Sequence, residues 1–184
     1  MPGMRCAKEN VQTHRVIVRL TCWPKDMIEQ DVLLKDLPER KVAYLLCKGA
    51  WRQLPEMLAR LSEYASQSVI KTLGPPGAFY YNTPQEVDVQ DLAWEVFYPI
   101  KPDTPESING KTGFSIRAIA EAKVATIIHE GSYRQAASSY QMLNDWIKTH
   151  GLKTCGAAEE VYLTNIGKIE KDQRMEICLP VCAV

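Results

Sequence analysis

The sequence predicts an α+β domain built from two copies of one βαββ module that are related by a pseudo-twofold axis. The stretch KVAYLLCKGAWRQ from Lys41 returns as KVATIIHEGSYRQ from Lys123, a spacing of 123 − 41 = 82 residues. WEVFYPI from Trp94 likewise returns as MEICLPV from Met175, now 81 residues later. Because the connections between strands are short, they favour antiparallel pairing. We therefore expect a curved antiparallel sheet of about eight strands, two long helices and a cleft near the axis.

The first copy begins with two predicted strands, VLLKDLP from Val32 and KVAYLLCKG from Lys41, with Pro38 and Gly49 marking the turns. Two more strands are expected at residues 79–82 and 94–100. Between these pairs a helix is predicted, because apolar side chains recur at spacings of three and four. The apolar stripe consists of Trp51, Leu54, Met57, Leu58, Leu61, Tyr64 and Ala65.

The second copy repeats this order, with a helical stripe that ends at Gly151 and strands at residues 159–164 and 174–181. This stripe consists of Tyr133, Ala136, Ala137, Tyr140, Leu143, Trp146 and Ile147.

Module one (31–100), a linker (101–112) and module two (113–181) are expected to form a single domain over residues 31–181. Residues 1–30 lie outside the repeat and are predicted as an N-terminal extension. Within that extension, VIVRLTC at 16–22 is interpreted as an edge strand.

Charge and hydropathy exclude several classes of function. Twenty-two basic and 22 acidic side chains give a net charge of zero, and no run of Lys or Arg exceeds two residues. We therefore expect no direct nucleic-acid binding. No apolar stretch approaches the ~20 residues of a membrane-spanning helix, and the start lacks the apolar core of a signal peptide. The six cysteines have no paired spacing, which favours reduced thiols and a cytoplasmic location.

No metal site and no cofactor are expected. The three histidines are far apart in the sequence, and no cysteine pair has the C-x2-C spacing of a zinc site. The glycine-rich strings that bind nucleotides, and the serine motif of hydrolases, are also absent from the sequence.

Positions at which the two copies differ are candidates for functional residues, whereas positions at which they agree are expected to maintain the fold. Strand alternation places Glu160 and Tyr162 on one face, whereas the matching positions of the first copy hold Ala78 and Tyr80. A carboxylate buried without a partner costs several kcal/mol or becomes protonated. Glu160 is thus predicted to attract a cation or to act as a general acid or base. The alternative is a strand-edge carboxylate in water, paired with a lysine.

Aromatic side chains are expected around that acid. Trp51 and Tyr133 follow glycines at equivalent positions, and Tyr80 and Trp94 lie on strands of the first copy. Rings beside an acid suit a flat lipophilic cation, although the same rings also fit an ordinary core. The last strand of each copy carries an equivalent acid, which fits a structural role as well as binding. The candidate ligand-binding residues are Glu160, Tyr162, Tyr133, Trp51, Tyr80, Trp94 and Glu176.

The combination of KVAxxxHEGSYRQ, WIKTHG, EEVYLTN and MEICLPV resembles the GyrI-like effector-binding domain family over about residues 31–181. That family is named for a small DNA gyrase inhibitor and includes the C-terminal drug-sensing domains of MerR- and AraC-type regulators. The resemblance implies a curved antiparallel sheet and a central pocket for lipophilic, often cationic compounds. It assigns the pocket's negative charge to Glu160, with Tyr162 and Tyr133 beside it. One departure is the turn Asn165-Ile166, where the family has Asp-Pro.

Three functions are compatible with these features. The first is a stand-alone small-molecule binding protein for lipophilic cations, linked to transcription regulation or toxin resistance. The second, which the resemblance also implies, is a metal-free hydrolase of reactive cyclopropane-bearing toxins with Glu160 and Tyr162 as catalytic residues. The third is a protein-interaction module, similar to a gyrase inhibitor or bound to a partner regulator protein.

Overall fold

The computed structural model describes residues 32–68, 70–108, 113–164 and 169–184. The predicted N-terminal extension and its edge strand at 16–22 lie outside the described residues, as do residues 109–112 of the predicted linker. No helix in the described ranges has the length and apolar character needed to cross a membrane.

The described residues form a curved antiparallel sheet of ten strands with two α-helices, which confirms the predicted fold class. Two short strands, one of them inside the predicted linker, add to the expected eight. The helices are α1 (Leu54–Gln67) and α2 (Ala137–Thr149). The strands are β1 (Leu33–Leu37), β2 (Arg40–Lys48), β3 (Gly77–Tyr80), β4 (Ala93–Ile100), β5 (Ser107–Ile108), β6 (Phe114–Ile119), β7 (Ala122–Glu130), β8 (Leu152–Thr154), β9 (Ala158–Tyr162) and β10 (Arg174–Ala183).

The order of the strands in the sheet is symmetric, as expected for a duplicated module. Across the sheet it reads β1-β7-β10-β9-β3-β4-β2-β6-β5, while β8 pairs with the far end of β10. Equivalent strands lie at equal distances from the β9–β3 pair, so the pseudo-twofold axis passes between these two strands. The first strand of each copy pairs with the other copy, β1 with β7 and β6 with β2. The two modules therefore interlock and share one sheet.

The register at the axis brings equivalent positions face to face. Ala78 pairs with Glu160, and 160 − 78 = 82 is the repeat spacing found in the sequence. Gly77, the next position on β3, pairs with Val161. A Cβ atom on Gly77 would lie 2.4 Å from Cζ of Phe97 and 2.6 Å from the carbonyl oxygen of Glu160. Glycine is thus required for the two modules to approach this closely.

Both helices pack on one face of the sheet, here called the helix face. Leu61 of α1 and Leu143 of α2 are fully buried there in one cluster with Trp94, Tyr162 and Met175. Burial at the predicted helical spacing explains why these segments are helices, because an apolar stripe stabilises a helix only when it is covered. The opposite face carries a smaller apolar cluster made of Val42, Tyr44, Phe79 and Phe97.

Candidate functional site

An acid surrounded by tyrosines lies on the helix face beside the pseudo-twofold axis. The Tyr140 hydroxyl, from α2, donates to Oε1 of Glu160 at 2.8 Å, and the Tyr162 hydroxyl donates to Oε2 at 2.8 Å. The hydroxyls of Tyr80 and Tyr162 are also 2.8 Å apart. Since the Tyr162 proton is used toward Glu160, Tyr80 donates to Tyr162. The protons of this network therefore all point toward an ionised carboxylate.

Burial raises the pKa of the Glu160 carboxyl above its ordinary value, although the hydrogen bonds from Tyr140 and Tyr162 act in the opposite direction. The nearby His129 also acts to lower that pKa. Within the described ranges, no lysine or arginine forms an ion pair with Glu160. Among the described residues, the site thus holds a desolvated acid that has hydrogen-bond donors and no lysine or arginine as an ion-pair partner.

The three tyrosines act as donors in the neutral form. Burial, with the adjacent charge of Glu160, raises the pKa of Tyr140 and keeps the pKa values of Tyr80 and Tyr162 well above the ordinary value. Deprotonated tyrosine is therefore excluded as a base or nucleophile near neutral pH. What the network supplies is a set of O–H groups that hold the carboxylate in place.

His129 is buried on the helix face. Its Nε2 atom lies 3.0 Å from the Ser132 carbonyl oxygen, and its Nδ1 atom lies 3.0 Å from the Ser139 hydroxyl. Because a carbonyl oxygen only accepts, Nε2 carries a proton. Both ring nitrogens are thus engaged within module two, which gives His129 a structural role.

The two modules contribute unlike halves to the site. Glu160 has its equivalent in Ala78, and Tyr140 has its equivalent in Leu58, since 140 − 82 = 58. Module two supplies the acid and both of its donors, while module one carries apolar side chains in place of Glu160 and Tyr140. In the sequence, Tyr140 belongs to the predicted apolar helical stripe. The difference between tyrosine and leucine at equivalent positions is the signal that could have identified it.

The predicted aromatic residues lie together on the helix face. Trp51 meets Tyr80 edge-on, with ring centroids 5.0 Å apart, and Tyr80 stacks on Trp94 at 6.5 Å. On the module-two side, Tyr133 and Tyr162 have centroids 5.3 Å apart. The ring contact between Trp51 and Tyr80 in module one is thus the equivalent of the contact between Tyr133 and Tyr162 in module two.

A cavity of about 640 Å³ lies between α1 and the ends of β9 and β3, next to this network. Tyr162 lines it directly, as does Leu58, the module-one equivalent of Tyr140. The volume falls in the range of drug-sized ligand pockets. The remaining lining residues are Pro55, Ala59, Ser62, Pro75, Pro76, Tyr98, Leu163 and Thr164.

Glu176, which the sequence groups with Glu160, lies on the opposite face of the sheet. It pairs across the strands with Val161, whereas Glu160 pairs with Ile177, so alternation separates the two acids. Glu176 forms an ion pair with Lys35 at 2.5 Å and accepts from the Thr126 hydroxyl at 2.8 Å. The acid borders a smaller cavity of about 160 Å³. The residue therefore does not contribute to the Glu160 site.

Glu95, the equivalent of Glu176 in module one, forms the same kind of pair with Arg117 at 2.5 Å on that opposite face. The two acid–base pairs are thus related by the duplication and belong to the scaffold. Metal ligation has no support in the described ranges, where no group of three or more His, Cys, Asp or Glu side chains is placed to hold an ion.

Substitution of Tyr140 by Phe is expected to raise the pKa of Glu160 further, because the carboxylate loses one of its two tyrosine donors. A hydrogen bond to a charged group contributes about 1.5–3 kcal/mol. The measurement is a ¹³C NMR titration of the glutamate carboxyl groups. Tyr133→Phe is the matched control, because the Tyr133 hydroxyl bonds to Thr164 and does not contact the acid. An unchanged pKa in Tyr140→Phe would contradict this geometry.

A doubled βαββ sheet, with an acid and aromatic rings beside its axis, defines a small-molecule binding domain. The chain belongs to the GyrI-like family, since residues 30–181 match the GyrI-like small molecule binding domain. This assignment confirms the family that the sequence motifs indicate.

Solved structures share this fold at low sequence identity. The crystal structure of the EcmrR C-terminal domain has a TM-score of 0.72 and 17% identity, covering 85% of this chain and 100% of that chain. The EcmrR–DNA complex has a TM-score of 0.74 and 16% identity, covering 87% of this chain but only 60% of the EcmrR chain. A hydrolase from Listeria innocua has a TM-score of 0.62 and 14% identity, covering 82% and 91% of the two chains. No curated protein matches the sequence.

Proposed function

We propose that this protein reversibly binds lipophilic cations and that Glu160 is the counter-charge of the bound cation. The observation that carries the proposal is a half-buried carboxylate with two tyrosine donors and, in the described part of the chain, no basic partner. An acid that is desolvated without a counter-charge is poised to gain from a cation. Reversible binding of this kind is compatible with either sequestration or sensing of lipophilic cations.

The unlike halves of the site suit a ligand with one charged and one apolar part. Module two places Glu160 and Tyr140 at the charged end, while Leu58 and the neighbouring cavity of about 640 Å³ offer space to apolar groups. The rings of Tyr162 and Tyr80 add flat surfaces on which aromatic ligands stack and cations are attracted. Shape, charge and aromatic contact thus favour the same class of compound.

A displacement assay tests the proposal. Ethidium, a flat fluorescent cation, would be bound first and then displaced by para-benzylbenzyl trimethylammonium or by its neutral isostere, in which carbon replaces the charged nitrogen. We expect the cation to displace the dye at a concentration at least about tenfold lower, since a desolvated charge pair contributes more than 1.4 kcal/mol. Equal potency of the two compounds would contradict the role of charge.

Cation affinity is expected to rise with pH and then level off. Because the pKa of Glu160 is raised, a larger share of the carboxyl is protonated in mildly acidic solution than for an ordinary glutamate. The protonated acid offers no charge, so affinity grows as pH rises through that pKa and is constant above it. Calorimetric titrations between about pH 4 and pH 8 measure this dependence. An affinity that is constant over this range would contradict the proposal.

Hydrolysis is the second candidate, favoured by the raised pKa of Glu160. A carboxyl that keeps its proton at higher pH can protonate a leaving group as a general acid. A neighbour of similar fold is described as a hydrolase from Listeria innocua. Incubation with a reactive cyclopropane-bearing compound separates the two functions. A hydrolase converts the compound and Glu160→Gln does not, whereas a binding protein returns it intact.

A further inference from the structure

The indole N–H of Trp51 is a buried hydrogen-bond donor without a partner among the described residues. Its ring lies edge-on to Tyr80, whose hydroxyl is the outer end of the chain that leads to Glu160. A buried donor that bonds to nothing is destabilising, and such groups in folded proteins call for an explanation. The Trp51 donor is therefore open to an acceptor supplied from outside the described chain.

The Trp51 N–H differs from the polar groups of comparable rings, which have hydrogen-bond partners. Tyr133, the equivalent of Trp51 in module two, places its hydroxyl 2.9 Å from the Thr164 hydroxyl. Trp94, on the same side of the sheet as Trp51, donates its indole N–H to the Gly49 carbonyl at 3.0 Å. In the described ranges, the other orphaned buried side-chain atom is Oε2 of Glu95, which lies on the opposite face. Among the described residues, Trp51 thus carries the unpaired donor of the helix face.

We propose that the Trp51 indole N–H donates a hydrogen bond to an uncharged acceptor atom of the ligand, such as a carbonyl oxygen. This inference rests on the proposed binding of cations at Glu160 and specifies the ligand class further. Tyr80 lies between Trp51 and Glu160, because its ring contacts Trp51 and its hydroxyl belongs to the hydrogen-bond network of Glu160. The preferred ligand is therefore a lipophilic cation in which about the width of one aromatic ring separates the charged group from the carbonyl group. Trp51 is then a specificity-determining residue.

Two probes of nearly equal size test this inference on the full chain. Para-benzoylbenzyl trimethylammonium carries a carbonyl and a cationic nitrogen on either side of one ring, and para-benzylbenzyl trimethylammonium has a methylene in place of the carbonyl. Calorimetry on the wild-type protein is expected to show about five- to tenfold tighter binding of the ketone. In Trp51→Phe, which retains an aromatic ring and removes the N–H, the ratio of the two affinities is expected to fall to about one, whatever the change in affinity for the methylene probe itself.

The outcomes separate this inference from the proposed function. Equal affinity of the two probes for the wild-type protein overturns the role of Trp51, even if both bind and both are weakened by Glu160→Gln. A ketone preference that persists in Trp51→Phe also overturns it. If Glu160→Gln binds both probes as tightly as the wild type, the counter-charge proposal fails instead. If neither probe binds, both proposals fail. The wild-type comparison needs no variant, so misfolding cannot obscure it.

Discussion

Replacing Glu160 by Gln is expected to lower the affinity for a lipophilic cation by about ten- to a hundredfold. The change removes the negative charge but keeps the size and planarity of the side chain. Charge-assisted contacts in a desolvated site contribute about 1.5–3 kcal/mol, which corresponds to this range of affinity. Displacement of ethidium by para-benzylbenzyl trimethylammonium measures the loss directly.

Two controls isolate the charge of Glu160. The neutral carbon isostere of the probe should bind Glu160→Gln as it binds the wild type, because it has no charge to pair. Glu176→Gln should leave cation affinity unchanged, since that acid lies on the opposite face and is paired with Lys35. A Glu160→Gln variant that keeps full cation affinity would remove the electrostatic basis of the proposed function.

The same substitution should not weaken the fold near neutral pH. The pKa of Glu160 is raised in the folded state, so folding stability is greatest below the ordinary glutamate pKa and falls as pH rises through the raised value. Glutamine carries no charge, so the Glu160→Gln protein does not lose folding stability through ionisation at this position. Thermal unfolding at about pH 7 should therefore show a Glu160→Gln protein at least as stable as the wild type. Loss of binding in that variant can then be attributed to the site.

Substitution of Gly77 by Ala is expected to destabilise the protein by about 3 kcal/mol or more. The added Cβ would lie 2.6 Å from the Glu160 carbonyl oxygen and 2.4 Å from the Phe97 ring. The ring can move, but the carbonyl belongs to the neighbouring strand, so β3 and β9 must separate. A domain of this size loses roughly 2–4 °C of melting temperature per kcal/mol. Thermal unfolding should thus show a decrease of about 6–12 °C.

Gly74→Ala is the matched control for this prediction. There the added Cβ would lie 3.7 Å from the Pro99 side chain, which is an ordinary contact distance. Its melting temperature should remain within about 1–2 °C of the wild-type value, as for most substitutions outside the core. Equal melting temperatures for Gly77→Ala and the wild type would contradict the close approach of the modules at the axis.

The duplication made the fold predictable from the sequence. A spacing of 82 residues that shortens to 81 at the last strand, with helical stripes and strand patterns in both copies, predicts equivalent elements and therefore a symmetric sheet. The exchange of β1 and β6 between the modules was not predictable, because residue spacing does not specify which copy a strand joins. The short strands β5 and β8 carry too few residues for a recognisable alternation.

The site was predictable only where the copies differ within one short segment. Glu160 stands out because its equivalent is Ala78, and the structure places it beside the axis. Tyr140 shares a helical stripe with core residues, so its hydroxyl is hidden in an apolar pattern. The sequence pattern groups Glu176 with Glu160, although strand pairing puts the two acids on opposite faces of the sheet. That separation depends on the register between β9 and β10, which the sequence does not specify.

The most direct test of the central claim is the pKa of Glu160 with and without a bound cation. A ¹³C NMR titration of the glutamate carboxyl groups, assigned by comparison with Glu160→Gln, gives this value. We predict a pKa above the ordinary range of glutamate in the free protein and a clear decrease when para-benzylbenzyl trimethylammonium saturates the site. An ordinary pKa in the free protein, or a raised pKa that the bound cation leaves unchanged, would contradict the claim that Glu160 is the counter-charge of the ligand.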